Sequence, residues 1–303
     1  MAATFAEPTT GFVRLITLVF GGTLSYPEYP QQQQPRVFDT SFNYMTDTPP
    51  GTDPDSGSPN LRADHELLWT KELRPGVVFE PTAPPKRGDG YLIFTDPSEA
   101  RHWYGSDAIT NSSTGRARTA SLANAIASLN EEQRARYLNP PYTIGSAMIW
   151  PVRKKDRPTM NQARGFRSLI ADRMDLTLEC IRRHYAGEPE SPLADVINAY
   201  ADFFALFDGF KEFVEFFHFQ DLVTPDYEEV RFYLPFDNFK RSGMPATKDE
   251  YVTYREATLE FISARNGRMA AWVMENHPGI EVRHTLPSDV AGSVRVIARA
   301  LKP

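Results

Sequence analysis

The sequence predicts an α+β fold: a mixed, sheet-bearing amino-terminal part packed on a carboxy-terminal helical bundle. Three observations carry that expectation. Runs with strand character, at residues 76–80, 91–95 and 142–152, fall in the first half of the chain. From residue 160 onward apolar residues recur at helical spacing. Thr247 followed by Glu250 is a capping box, and the amphipathic pattern behind it runs to about residue 276.

In chain order, residues 1–36 read as a tail or linker. They hold a strand-like run at 12–20 and then Pro27, Pro30 and Pro35 around four consecutive glutamines. Residues 37–303 read as a single α+β domain, with a strand-rich half at 37–152 and a helical half at 159–276. Residues 46–59 carry turn chemistry throughout. Asp53, Asp55 and Gly57 there have part of the spacing of a calcium loop but lack its closing glutamate, so a plain loop is expected. A short helix over 64–71 follows, ending in Leu67, Leu68 and Trp69. The strands at 76–80 and 91–95 are joined by a Pro/Gly-rich turn, and Asp96 opens a helical turn. Residues 121–139 form an amphipathic helix capped by Ser121 and stopped by Pro140 and Pro141. The run at 142–152, with Ile144, Met148, Ile149 and Trp150, is the best buried strand.

The central helical stretch is 160–186. Phe166, Leu169, Ile170, Met174, Leu178, Ile181 and Tyr185 share one arc, and Arg164, Asp175 and Arg182 fall within about 20° of the opposite meridian. Later helices are a capped one from Ser191-Pro192 to about Phe207, an aromatic one with Phe210, Phe213, Phe216, Phe217 and Phe219, and the long one after Thr247. Residues 231–234 are a strand or a turn, 280–285 are strand-like, and 294–301 are apolar.

The 303 residues are 41% hydrophobic and 12% aromatic, enough for a sizeable core. A formal charge of -6 excludes a general nucleic-acid coat but not a local basic site. Cys180 is the one cysteine, so no intrachain disulfide forms, which suits a reducing compartment. The early apolar run is interrupted by Arg14 and is too short for a bilayer. Glu7 is the only charge before it, unlike the basic start of a secretory signal. A cytoplasmic protein with no membrane span is expected.

Functional candidates are charges that the helical pattern aims inward, because an unpaired buried charge is very costly. Arg173 lies inside the apolar arc of its helix. Asp221 shares the side of Phe210, Val214 and Phe217. Arg255 and Arg265 flank the apolar arc of the last helix. These charges are either structural ion pairs, with Arg173 or Arg255 facing Asp221, or a central pocket for an anion. A basic run (Arg153, Lys154, Lys155, Arg157, Arg164, Arg167) leads into the central helix and is either a phosphate-attracting loop or a solvated one. No histidine pair has metal-ligand spacing, and no metal is expected. His65 and His102 are candidates for a general acid or base. Cys180 reads as a buried inert thiol. Nucleophile-elbow, dinucleotide and zinc-protease motifs are absent.

Residues 46–55 with 61–71, the Asn-Gln-Ala-Arg-Gly run at 161–165, and residues 172–185 resemble an uncharacterised family of bacterial proteins, as do 216–223 and 234–237. The resemblance spans roughly 37–270 and implies one compact unit, with no catalytic residue. The functional expectation is an anionic, phosphate-bearing ligand such as a nucleotide or nucleic-acid end. Arg164, Arg173, Arg182 and Arg255 would contact it, Lys71 would be a supporting cation, and Asp221 and His65 would be the catalytic pair; no cofactor is readable. The alternative is an interaction protein with a partner or self-association surface, its charges serving as internal struts.

Overall fold

In the computed structural model, which describes residues 36–284 apart from 76, 83–90, 97–99, 110–118, 153–156 and 189, the strands form three small sheets. The expected features at 1–35, at Pro97 to Glu99, at Arg153, Lys154 and Lys155, and at 294–301 lie outside the described residues. All described residues belong to one contact unit, Pro35–Pro303.

The largest sheet is antiparallel, in the order β4 (Tyr91–Thr95), β5 (Arg101–Ala108), β6 (Ala147–Val152). Trp103 pairs with Val152 and Ala108 with Ala147. The sequence leaves β5 unread because Arg-His-Trp-Tyr-Gly-Ser-Asp-Ala lacks alternation; its polar residues serve buried networks. The short strand β3 (Val77–Phe79) pairs with β2 (Lys71–Arg74), not with β4. A parallel pair, β1 (Val37–Asp39) and β7 (Glu281–Arg283), joins the two ends of the described chain.

Two of the expected helices are broken in two, and one starts earlier than expected. Helix α1 (Pro54–Gly57) precedes α2 (Pro59–Trp69), which starts where Ser58 accepts from Leu61 N and Pro59 takes the first turn. The expected helix at 121–139 is two, α3 (Ala120–Ala127) and α4 (Glu131–Leu138). A capping box of Asn130 and Gln133 restarts the chain between them.

The expected helix over 160–186 is also two, α5 (Met160–Phe166) and α6 (Met174–Tyr185). Ala171 and Asp172 adopt left-handed φ values of 51° and 61° between them, and Asp172 N donates to Arg164 O. The 240s loop fills the space where a helix would have continued. Gly243 N donates to Ser168 O, and a Cβ on Gly243 would lie 2.7 Å from Leu176 Cδ1. The shared wheel is therefore lost, and Phe166, expected in the core, is 79% exposed.

Helices α7 (Ala194–Ala199), α8 (Ala201–Phe204) and α9 (Phe210–Phe216) follow, and the stretch from Phe203 to Phe219, helices and turns together, supplies most of the buried phenylalanines. Their rings meet those of the strand-rich half: Phe79 lies 5.7 Å from Phe216, Tyr104 5.7 Å from Phe203, and Trp69 5.2 Å from Phe217. The spine is α10 (Lys248–Asn276), begun by Thr247 accepting from Glu250 N, with Tyr254, Thr258, Phe261, Arg265, Met269 and Val273 on its buried face. Gly145, in the 3-10 turn before β6, is required by close approach: a Cβ there would meet Ile262 O at 2.5 Å. Among the described residues no helix is long and apolar enough to cross a membrane.

Candidate functional site

Lys71 is a cation beside which no carboxylate partner is found among the described residues and which faces an open cleft. Helix α2 ends on Trp69, and Lys71 opens β2 directly after it. Across from it α9 stops at Phe216. His218 then takes a left-handed φ of 57°, uncommon outside glycine, and its ring is turned toward Lys71. Residues Arg265, Arg268 and Trp272 of α10 close the third side at helical spacing.

Lys71 Nζ donates to Phe216 O at 3.1 Å and lies 3.4 Å from His218 Nε2. It also stands 4.3, 4.8 and 5.6 Å from the ring centres of Trp272, Phe216 and Trp69. No carboxylate is among these partners. Burial, followed by the charge of Arg265, pulls the Lys71 pKa from 10.5 down to about 7. Burial and the neighbouring cations pull His218 down to about 2, so its imidazole is neutral.

Arg265 is the cause beneath. It is fully buried and donates to Phe217 O (3.0 Å), Gly145 O (2.9 Å) and Ala147 O (2.7 Å), with Phe219 stacked 4.7 Å away. Burial lowers its pKa to about 9, so it stays charged at neutral pH. Above this floor opens a cleft of about 470 Å³ that includes Lys71, Phe216, His218 and Trp272. Its rim carries Glu72, Glu212, Glu215 and Glu275, with Arg268.

A hydrogen-bond chain holds the Trp69 wall in place. Trp69 Nε1 donates to His65 Nδ1 at 2.8 Å, and His65 Nε2 meets Ser106 Oγ at 2.9 Å. Ser106 donates to Asp55 Oδ1 at 2.9 Å, which also accepts from Tyr142. The chain holds a serine, a histidine and an aspartate but is not a catalytic triad. The indole fixes the tautomer, so Nε2 carries the proton and donates to Ser106 instead of accepting from it. Burial lowers the His65 pKa to about 3, and both its ring nitrogens are committed inside the protein. The expectation of His65 as acid or base is corrected on that ground. Burial raises the Asp55 carboxyl to about 7.

The arginines do not converge. Arg164 is wholly enclosed, with Asp107 at 2.5 Å, Thr177 Oγ1 at 3.1 Å and Asp172 at 3.3 Å, and it ties β5 to α5 and α6. Arg173 caps the turn into α6 and is clamped by Asp175 and by Gly243 O (3.2 Å). It walls a cavity of about 150 Å³ beside Arg241. Arg182 is a surface residue held by Glu179 and Glu188. Arg255 is buried on α10 and donates to Tyr137 O at 2.8 Å, while its Nε and Nη1 have no acceptor. Arg167 of the basic run is paired with Asp195.

Asp221 is likewise corrected. Because α9 ends early, residue 221 leaves the helical wheel and sits in a 3-10 turn, facing outward to Arg268 in a two-pronged pair at 2.6 and 2.7 Å. No arginine from α6 reaches it. His102, half-buried, pairs with Asp96 at 2.8 Å and Asp202 at 3.6 Å. Among the described residues no group of three or more His, Cys, Asp or Glu side chains could hold a metal ion. The sequence reading named Lys71 only as support and missed His218 and the aromatic walls. The available signal was a lysine two residues after a helix-ending tryptophan, facing a Phe-Phe-His-Phe run.

Over residues 38–269 the sequence matches the family described as "Family of unknown function (DUF6994)". No curated protein and no solved structure matches.

Proposed function

The chain belongs to this family of unknown function, and from that premise we propose that its working group is the Lys71 amine, acting on or capturing a small carbonyl compound in the cleft. The observation that carries the reading is the setting of Nζ: an open cleft, three aromatic rings, a backbone carbonyl and a neutral imidazole, with no carboxylate partner. Desolvation beside another cation is the established way to keep a lysine amine nucleophilic at neutral pH. With a pKa of about 7, about half of the side chains carry a free lone pair at pH 7. That is roughly a thousandfold more than for an ordinary lysine. The cleft volume falls in the range of small-molecule sites.

The chemistry is imine formation. The Nζ lone pair attacks the carbonyl carbon, and the carbinolamine then loses its oxygen as water with two protons, leaving a C=N bond. Borohydride would fix that bond irreversibly. Incubation with propanal and borohydride at pH 7, followed by peptide mass spectrometry, is expected to mark Lys71 well ahead of the other lysines. Uniform labelling of all lysines, with Lys71 unremarkable, would reject the proposal.

For Arg164, Arg173, Arg182 and Arg255 we propose the strut role over the phosphate-binding one. The support is that protein carboxylates pair with Arg164, Arg173 and Arg182, and that Arg255 is buried with one bond, to Tyr137 O. Phosphate and nucleotides are then expected to leave the melting temperature unchanged; an anion-dependent rise abolished by Arg164→Ala would favour the phosphate reading. A cytoplasmic setting belongs to the same proposal, supported by the single buried thiol, Cys180, which burial pushes up to about 12.

A further inference from the structure

Resting on the Lys71 reading, we infer that the carbonyl compound taken by this cleft carries a positive charge: an aldehyde or ketone bearing an amino, ammonium or guanidino group. Three elements bring acids to the rim. Helix α9 brings Glu212 and Glu215, one turn apart; α10 brings Glu275, one turn beyond Trp272; β2 brings Glu72, next to Lys71 itself. The cations opposing them in the cleft are Lys71, which is the nucleophile, and Arg268, while Lys211 lies 3.9 Å from Glu215 outside it and leaves Glu72, Glu212 and Glu275 to set the sign of the rim.

Arg268 is not available to an anion. Its Nε and Nη2 both go to Asp221 at 2.6 and 2.7 Å, so its charge is matched by a carboxylate. A cleft lined by one sign of charge concentrates ligands of the opposite sign and repels its own. A phosphorylated or carboxylated aldehyde would have to pass four glutamates with no free guanidinium to receive it. An ammonium-bearing aldehyde meets the same glutamates as partners, with the half-buried face of Trp272 beside them. The imine step needs no partner beyond the substrate, and the water released leaves through the open mouth.

The test compares three aldehydes at Lys71 under borohydride at pH 7: (trimethylammonio)acetaldehyde, propanal and glyoxylate. Each rate is divided by that of the same aldehyde with Nα-acetyl-lysine, which removes intrinsic reactivity. The expected order is cationic, neutral, anionic, with about tenfold between the extremes at low ionic strength and about twofold in molar salt. Glu275→Gln, on an exposed residue, narrows the spread, and adding Glu212→Gln narrows it further. Glyoxylate reacting as fast as the ammonium aldehyde, or faster, would overturn the charge inference and leave the amine reading standing. Lys71 unlabelled by all three would instead remove the amine reading.

Discussion

The Arg164 junction and the Lys71 cleft place the same kind of residue, a cation drawn out of water, in opposite circumstances. At Arg164 the fold surrounds the guanidinium with two carboxylates, a hydroxyl and an aromatic ring, and leaves no face open. At Lys71 it supplies rings, a carbonyl and a second cation below, and leaves a cleft above. The first arrangement fixes three elements against one another and keeps its charge. The second holds its charge poorly. A buried cation becomes a candidate for chemistry when its acceptors fall short of its charge and solvent can still reach it.

The comparison can be broken first at its structural side. Arg164→Met leaves Asp107 and Asp172 buried without their cation and is expected to cost about 3–5 kcal/mol in denaturant unfolding. Adding Asp107→Asn should recover a large part. A loss below about 1 kcal/mol would remove the strut argument.

At Lys71 the sign reverses. The unfolded chain keeps this proton up to 10.5, and the folded chain releases it near 7. The group's contribution to stability is therefore complete above 10.5 and is lost as pH falls to 7. Lys71→Met removes the cost and should be more stable than the parent by on the order of 2 kcal/mol at pH 6, a lead that shrinks toward pH 10.

A smaller effect is expected at Asp55, the carboxyl at the end of the chain that fixes Trp69. Its folded pKa is raised to about 7 from 3.8, so its contribution is full below 3.8 and is lost as pH rises through 7. Asp55→Asn keeps an acceptor for Ser106 and Tyr142. It should gain about 1 kcal/mol over the parent at pH 8 and nothing at pH 3.5, read from melting curves. The smallest change is Arg182→Ala, which loses a partly exposed pair with the buried Glu179 and the exposed Glu188; Arg183 still holds Glu179, so stability should shift by less than about 1 kcal/mol.

How much of this the sequence carried depends on the range of the signals. The α+β class and the Thr247 start of α10 rest on local pattern and read correctly; of the strand expected at 142–152, Ala147–Val152 is strand and Ile144–Ser146 is a 3-10 turn. The core-facing charges at Arg173, Arg255 and Arg265 were also legible, because Arg173 interrupts an apolar arc and Arg255 and Arg265 flank one. Their partners were not. Ala171 and Asp172, both non-glycine residues in left-handed conformations, end the helix through contacts with the 240s loop, about 70 residues away, which no window over 160–186 contains. The early end of α9 displaced Asp221 in the same way. The Lys71 cleft joins residues from β2, α9 and α10, of which the sequence reading named Lys71, as a supporting cation, and singled out Arg265 beneath it. His218, which follows the end of α9, is 5% exposed because its backbone reverses there.

The central claim is that Lys71 titrates near neutrality inside a folded cleft. It is tested most directly by following the ¹³Cε resonances of labelled lysines against pH, with Lys71→Met to assign the signal. The account predicts one lysine with a midpoint near 7, standing about three units below the rest. A Lys71 midpoint near 10.5, in step with the surface lysines, would contradict it.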